Sequence, residues 1–293
     1  MEVFRAVVLA GGVGPAAELL NVSQPAVSKV LSQASRQAGF ELFERVRGRL
    51  VVTPEGRQLY EEIDSLWRGV ERVRDVTRNL AGSRRGILRV AASASLATFV
   101  APRAIALLYE AFPRLQSHME ILVPPILESA LLNRSIDIAV ALQPAPHPHL
   151  SVVQSYRCPL VCVMHESHPL ARMKSIRASD LRGERLITST ADTPYGRIID
   201  GAYGSRRGEL QLDLEVRSST MACWYAQARA GIAVVDGAAV AGSTFSALAA
   251  VPFASRERLN VAVVRHSHRS MSPLEKAFCT CFDRAWKEAF RQA

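Results

Sequence analysis

Residues 16–31, AAELLNVSQPAVSKVL, and residues 41–56, ELFERVRGRLVVTPEG, decide how this chain begins to fold. Ser23 is placed to cap a helix, because its hydroxyl can accept from a backbone N–H one turn on. Pro25 falls in the first turn, where its missing N–H costs nothing. Ala26, Val27, Val30, Leu31 and Ala34 recur at helical spacing, which predicts a helix over 23–38 with an apolar stripe. Upstream, Ala16, Ala17, Leu19 and Leu20 follow Pro15 as a shorter helix, and Asn21 and Val22 turn the chain between the two. Two short helices joined by a tight turn is the helix-turn-helix plan.

Working outward, Val3, Phe4, Val7 and Val8 make a first helix that Gly11 and Gly12 end. Downstream, Leu42 and Phe43 close a small core, and two short strands around Arg47 and Gly48 form a basic wing with Arg45, Arg47 and Arg49 at alternating positions. Thr53 and Pro54 start a long helix whose apolar positions, Leu59, Ile63, Leu66, Val70, Val73 and Leu80, step by fours and threes with Thr77 filling the gap. Such a seam would meet water on a lone helix, so it is expected to pair with a second subunit; packing on its own domain is the alternative. The Ser- and Arg-rich stretch from Gly82 to Gly86 looks like a hinge. The run VVLAGGVGPAA suggests a dinucleotide-binding turn at first sight. That unit needs an acidic residue about twenty positions on, and no carboxylate lies between Glu18 and Glu41.

Length and composition agree with two globular domains: 293 residues, 48% apolar and 22% charged. The formal charge of +9 favours a polyanionic partner without naming one. Cys158, Cys162, Cys223, Cys279 and Cys281 are odd in number and have no metal-knuckle spacing, so neither a disulfide framework nor a metal site is expected. The opening run lacks the cationic cluster of a signal peptide, and no apolar stretch reaches the ~20 residues that cross a bilayer. A soluble, cytoplasmic protein without a membrane partner is expected.

Beyond the hinge, strands and helices alternate. ILRVAAS, a helix from about Leu96 to Phe112, HMEILVP, a helix over Leu127 to Arg134 and DIAVAL are followed by PLVCVM, RLITST, LDLEVR, a helix near Met221 to Ala230, IAVVD and LNVAVVR. An amphipathic helix from Pro273 to Phe290 closes the chain. Alternation of this kind predicts parallel α/β sheets in two halves, with a cleft between them. Clefts at the carboxyl ends of parallel strands collect ligands. Three hydroxyl-bearing segments follow strands here: Ser93 and Ser95; Thr188, Ser189 and Thr190; Ser218, Ser219 and Thr220. Each is also explicable as a plain helix cap; their convergence is what would make a site.

The pairing of NVSQPAVS with LFER at this separation resembles the LysR-type transcriptional regulators, and the likeness runs over essentially the whole chain. ERVRGRL and SSTMACWYAQARAGIAVVD are most similar to the branch that answers to lysine-pathway intermediates and opines. The resemblance implies an α+β winged helix-turn-helix over 1–53, a linker and dimerisation helix over 54–82, and an effector-binding domain over 87–293. That domain would comprise two Rossmann-like α/β subdomains of the type 2 periplasmic-binding-protein kind, the first about 87–155 and 264–293, the second about 156–263. It places the three hydroxyl-bearing segments in the effector pocket, with Pro124 and Asp236 near its walls. By their chemistry the hydroxyls and amides suit a carboxylate, and Asp192 or Asp236 suits an ammonium group. Three departures stand out. The chain starts directly at Met1-Glu2-Val3-Phe4, so a short first helix is expected; Gly12 and Gly14 stand where the family has capping Ser and Thr; Ala34 and Ala38 replace larger apolar residues.

In a helix-turn-helix the start of the second helix enters the major groove. Gln24 can pair with adenine through its amide and Pro25 can pack on a thymine methyl, while Ser23, Ser28, Lys29 and the wing residues Arg45, Arg47 and Arg49 suit phosphate or the minor groove. The expected partners are double-stranded DNA at an interrupted palindrome, a small-molecule effector that is amino-acid-like, and further copies of the chain in a homodimer or homotetramer. No cofactor, metal or catalytic residue is expected, because the histidines have no spaced nucleophile and carboxylate. A two-lobed solute-binding protein is the alternative for residues 87–293, though it would have no use for residues 1–80.

Overall fold

The computed structural model describes residues 1–80, 86–124, 126–268 and 270–290. The chain divides into two compact units, Met1–Ala81 and Gly82–Ala293. The Gly82–Gly86 hinge, apart from Gly86, and the end of the 54–82 segment lie outside the described residues.

The first unit has helices α1 (Glu2–Ala10), α2 (Val13–Leu20) and α3 (Gln24–Ala38), strands β1 (Phe43–Val46) and β2 (Arg49–Val52), and helix α4 (Pro54–Leu80). Gly11, at φ 73°, ends α1 in the left-handed conformation that glycine adopts without a Cβ penalty. Gly12 gives α2 no side-chain cap. Phe4, Val7, Ala16, Ala17, Val27, Leu31, Leu42 and Ile63 form the core, with Phe4 edge-on to Phe43 at 5.4 Å. Arg5 pairs with Asp64 at 2.9 Å and lies over Trp67, tying α1 to α4. Gly56 in the first turn of α4 lies so close to Leu42 that an added Cβ would sit 2.4 Å from its carbonyl oxygen.

The stripe on α3 is narrower than its sequence suggests. Val27, Leu31 and Ser35 are buried, whereas Ala26 and Val30 are exposed. Ser35 belongs inside because its hydroxyl accepts from the Leu42 amide at 3.2 Å.

The second unit holds two five-stranded sheets. Its strands are β3 (Ile87–Ala92), β4 (Gln116–Ile121), β5 (Ile138–Leu142), β6 (Leu150–Cys158), β7 (Leu160–His165), β8 (Leu186–Ser189), β9 (Leu212–Val216), β10 (Ile232–Asp236), β11 (Leu248–Pro252) and β12 (Leu259–His266). Its helices are α5 (Val100–Ala111), α6 (Ile126–Leu132), α7 (Pro194–Ala202), α8 (Ser219–Gln227) and α9 (Pro273–Ala289). The first sheet runs β4-β3-β5-β12-β6 and the second β11-β7-β10-β8-β9.

Neither sheet is purely parallel, as alternation alone had predicted. In each, three parallel strands continue into two joined antiparallel (β5-β12-β6 and β10-β7-β11). The two lobes thus share one plan. β6 and β12 pair along their whole length, so the chain changes lobe at Pro159 and again over 253–258, a few residues from the expected 156 and 263. Helix α9 returns to the first lobe, where Glu288 accepts from Arg103 at 2.7 Å. Helix α5 starts at Val100 rather than Leu96: residues 96–99 form a turn in which the Leu96 and Ala97 amides donate to the Ser93 carbonyl. Among the described residues no helix is long and apolar enough to cross a membrane, and the five cysteines are free.

Candidate functional site

In the first unit, Ser23 caps α3, accepting from the Ala26 amide at 3.4 Å. Gln24, Pro25, Ser28 and Lys29 are all exposed on the N-terminal half of that helix, on the side away from Val27 and Leu31. Gly14 of α2 leaves space that Gln24 uses, since a Cβ there would lie 3.0 Å from the Gln24 Nε2. Lys29 and Arg36 are the charged residues between Glu18 and Glu41, so this face is cationic.

The wing differs in detail from its sequence reading. β1 and β2 pair with Val46 opposite Arg49, which makes Arg47 and Gly48 the two-residue loop between them. Both have positive φ, 49° and 79°, the signature of a type I′ hairpin. Arg47 is therefore at the tip and not on a strand, so the expected alternation of Arg45, Arg47 and Arg49 is interrupted there. Arg45 is an exposed strand residue, and Arg49 opens β2.

In the second unit, a cleft of about 520 Å³ opens at the carboxyl ends of the parallel strands. The first lobe contributes Ser93, Ala94 and Ser95 after β3, Leu122, Val123 and Pro124 after β4, and Leu142 and Gln143 at the end of β5. Asp192, Thr193 and Tyr195 after β8, with Arg217, Ser218 and Ser219 after β9, come from the second. Of the sequence-expected residues, Ser93, Ser95, Pro124, Asp192, Ser218 and Ser219 line it. Thr188 and Ser189 are buried strand residues, and Thr190, Thr220 and Asp236 stand outside the lining.

Local structure explains the arrangement. Ser93 Oγ accepts from the Leu142 amide at 2.9 Å, pinning the end of β3 to that of β5. Thr193 caps α7, accepting from the Gly196 amide at 2.9 Å, and Ser218 caps α8. A Cβ on Gly196 would lie 1.8 Å from the Thr190 carbonyl oxygen, so this turn is built around a glycine. At the rim, Arg217 and Asp192 face each other at 3.5 Å, both largely exposed.

Asp236 is fully buried. Its Oδ2 accepts from Ser219 Oγ, and Ser219 also bonds the Tyr195 hydroxyl at 2.8 Å. Burial pushes the Asp236 carboxyl above the usual carboxylate range, against the opposing pull of hydrogen bonds from Ser219, Ser95 and the Ala239 amide. Asp236, expected from its chemistry to suit a ligand ammonium, lies beneath the serines and is not among the lining residues. Tyr195, Gln143 and Arg217 were not anticipated from sequence. Gln143 and Arg217 each follow a strand end, so the same rule that located the serines would have found them. The surface as built offers hydroxyls on the floor, one cation and one anion on the rim, and an apolar wall at Leu122, Val123 and Pro124. A small molecule with a polar end and an aliphatic side fits that description.

Two family models match the chain: the bacterial regulatory helix-turn-helix protein, lysR family, over residues 1–57, and the LysR substrate binding domain over residues 81–287. The transcriptional activator protein LysR of Escherichia coli (strain K12) is 29% identical over 280 residues, covering 95% of this chain and 89% of that protein. The octopine catabolism/uptake operon regulatory protein OccR of Rhizobium meliloti is 30% identical over 238 residues, covering 80% of this chain and 78% of its own. Among solved structures, full-length CbnR complexed with its target DNA superposes with a TM-score of 0.79 at 20% identity, covering 97% of this chain and 98% of that one.

Proposed function

The chain belongs to the LysR family of DNA-binding transcriptional regulators with an effector-binding domain, and from that membership we propose which residues perform each task. Residues 1–53 read DNA. Gln24 and Pro25 contact base edges; Ser23, Ser28, Lys29, Arg45, Arg47 and Arg49 contact the backbone or minor groove. The exposure of Gln24, Pro25, Ser28 and Lys29 on one helix face supports this assignment.

Helix α4 joins two copies of the chain. Leu66 and Val70 on it are 65% and 44% exposed, which supports a partner on that side. Two heads so joined would read an interrupted palindrome, and pairs of dimers would give a tetramer. The cleft between the lobes holds the effector, with Ser93, Ser95, Ser218 and Ser219 binding its polar end, Pro124 on the apolar wall and the Asp192–Arg217 pair at the rim. An amino-acid-like effector suits a rim that carries both signs of charge. Catalysis has no part in this reading.

The observation that carries the proposal is a single cleft of about 520 Å³ whose floor is built by serines from both lobes, since a ligand touching both can favour one lobe arrangement over another. DNase footprinting upstream of the protein's own gene, with and without a panel of amino acids and their conjugates, tests it. A protected palindrome whose extent changes with one of them is expected. Stoichiometric solute binding without any protected site would turn the reading toward a solute-binding protein.

A further inference from the structure

Asp236 has a role that a wall residue would not have. It ends β10 in the second lobe, wholly buried, and the donors that face it come from both sides of the cleft: Ser219 and the Ala239 amide from its own lobe, Ser95 from the other. Its Oδ1 makes no hydrogen bond of standard geometry. Tyr195 on α7, Cys158 at the end of β6 and Cys223 on α8 are the other titratable groups that sense it. Burial raises the pKa of all three and so favours their neutral forms. At Asp236 burial likewise outweighs the hydrogen bonds that hold the carboxylate form.

Each serine hydroxyl has one proton. While Asp236 is ionised, the protons of Ser219 and Ser95 point inward to it, and these two lining residues offer only lone pairs to the cleft. A carboxylate docking on the floor needs at least one of those protons. It also brings a second negative charge to within one hydroxyl of Asp236, in a poorly solvated place where like charges interact strongly. A proton on Asp236 resolves both conflicts: the acid then donates to one serine, whose own proton turns to the ligand.

We propose that Asp236 is a protonation switch beneath the effector cleft: an effector that sets a carboxylate on Ser95 and Ser219 takes up one proton at Asp236 as it binds. The inference rests on the reading of the cleft as the effector site and adds the charge class of the group on its floor. One proton goes from solvent to the buried carboxylate, and no bond other than that O–H changes.

The test uses the full-length protein and two probes of equal chain length and opposite charge, glutarate and 1,5-diaminopentane. Calorimetric titrations in two buffers of different ionisation enthalpy read the protons taken up, and titrations across pH read the affinity. Glutarate affinity is expected to fall as pH rises through the ionisation of Asp236, by up to about tenfold per pH unit, with net proton uptake over the same range. Diaminopentane should show neither. In Asp236→Asn, glutarate should still bind with the uptake and slope abolished. Should that variant fail to fold, the two-buffer measurement on the wild type decides alone. Glutarate binding without proton uptake at any pH, or with a slope that survives in Asp236→Asn, overturns the switch and leaves the cleft assignment standing. Binding of neither probe in these titrations overturns the cleft reading and the switch together.

Discussion

Arg47 holds φ at 49° beside Gly48 at 79°, a left-handed conformation that costs a residue with a Cβ on the order of 1 to 2 kcal/mol. Asn or Gly would suit that loop better, and the proposed phosphate contact is what would set an arginine apart there. Arg47→Ala should weaken binding to operator and random DNA alike and lower the salt slope by about one. Arg47→Gly should show the same binding loss while melting at a higher temperature, because the strain is gone. Gln24→Ala belongs to the other class of contact and should cost ~1 to 3 kcal/mol at one base position only. Competition binding against a set of singly substituted operators separates the two patterns, and equal losses on all sequences for Gln24→Ala would contradict its role. Asp236 carries a different residue-scale expectation. With its native carboxyl raised above the unfolded value near 3.9, the folded state holds the proton more tightly. The associated stability is present below the unfolded value and is lost as pH rises through the native one. Glu209 and Glu288, lowered by hydrogen bonds from their arginine partners, act in the opposite sense, losing stability as pH falls. The difference in melting temperature between wild type and Asp236→Asn isolates Asp236. It should shift in favour of the variant as pH rises over that interval, in calorimetric scans at stepped pH.

Helix α4 shows what a periodic pattern can and cannot tell. Its start was readable in Thr53 and Pro54: the Thr53 hydroxyl accepts from the Gly56 amide at 2.9 Å. Its seam was readable too, but not its division of labour. Ile63 is buried in the core of its own unit, while Leu66, one step further, is 65% exposed. Packing at home thus holds for the turn at Ile63, and the turns at Leu66 and Val70 are the ones proposed to meet a partner. Leu66→Glu should accordingly leave the melting of the first unit nearly unchanged, as expected for an exposed site, and shift the protein from dimer to monomer in sedimentation velocity. A loss of stability with the dimer intact would mean that the seam is satisfied within the chain. The cleft elements were legible to a similar degree. Strand ends followed by serines pointed to the right loops, because free hydroxyls after a buried strand mark a cap, a ligand, or both. Helix α7, strands β6 and β11 and the burial of Asp236 were not, since β6 is half-exposed, β11 is short and ends at Pro252, and nothing local in IAVVD shows whether its final carboxylate faces in or out.

At the scale of the whole second unit, the two lobes repeat one mixed-sheet plan that the sequence obscured. β7, β10 and β12 are long apolar runs covered on both faces, and such a run looks the same whether its neighbours are parallel or antiparallel. Among the described residues two backbone segments cross between the lobes, at Pro159 and over 253–258, so side-chain contacts near the cleft weigh heavily in fixing their separation. Phe99, just before α5 in the first lobe, lies directly on Gly242 of the second, where φ is +72° and a Cβ would come within 2.0 Å of the ring. Gly242→Ala would add a left-handed penalty of ~1 to 2 kcal/mol to an overpacking cost of ~1 to 3 kcal/mol, and the least costly relief is to swing Phe99 away and part the lobes. Effector affinity should then fall by at least about tenfold, which requires only ~1.4 kcal/mol. The melting transition of the second unit should drop, while operator binding without effector stays within about twofold of wild type, because residues 1–57 carry that contact and belong to the other compact unit. Calorimetry resolving the two transitions, together with footprints at saturating and zero effector, checks all three. If the variant instead keeps full effector response with a lowered second transition, Phe99 and Gly242 contribute stability but do not set the opening of the cleft.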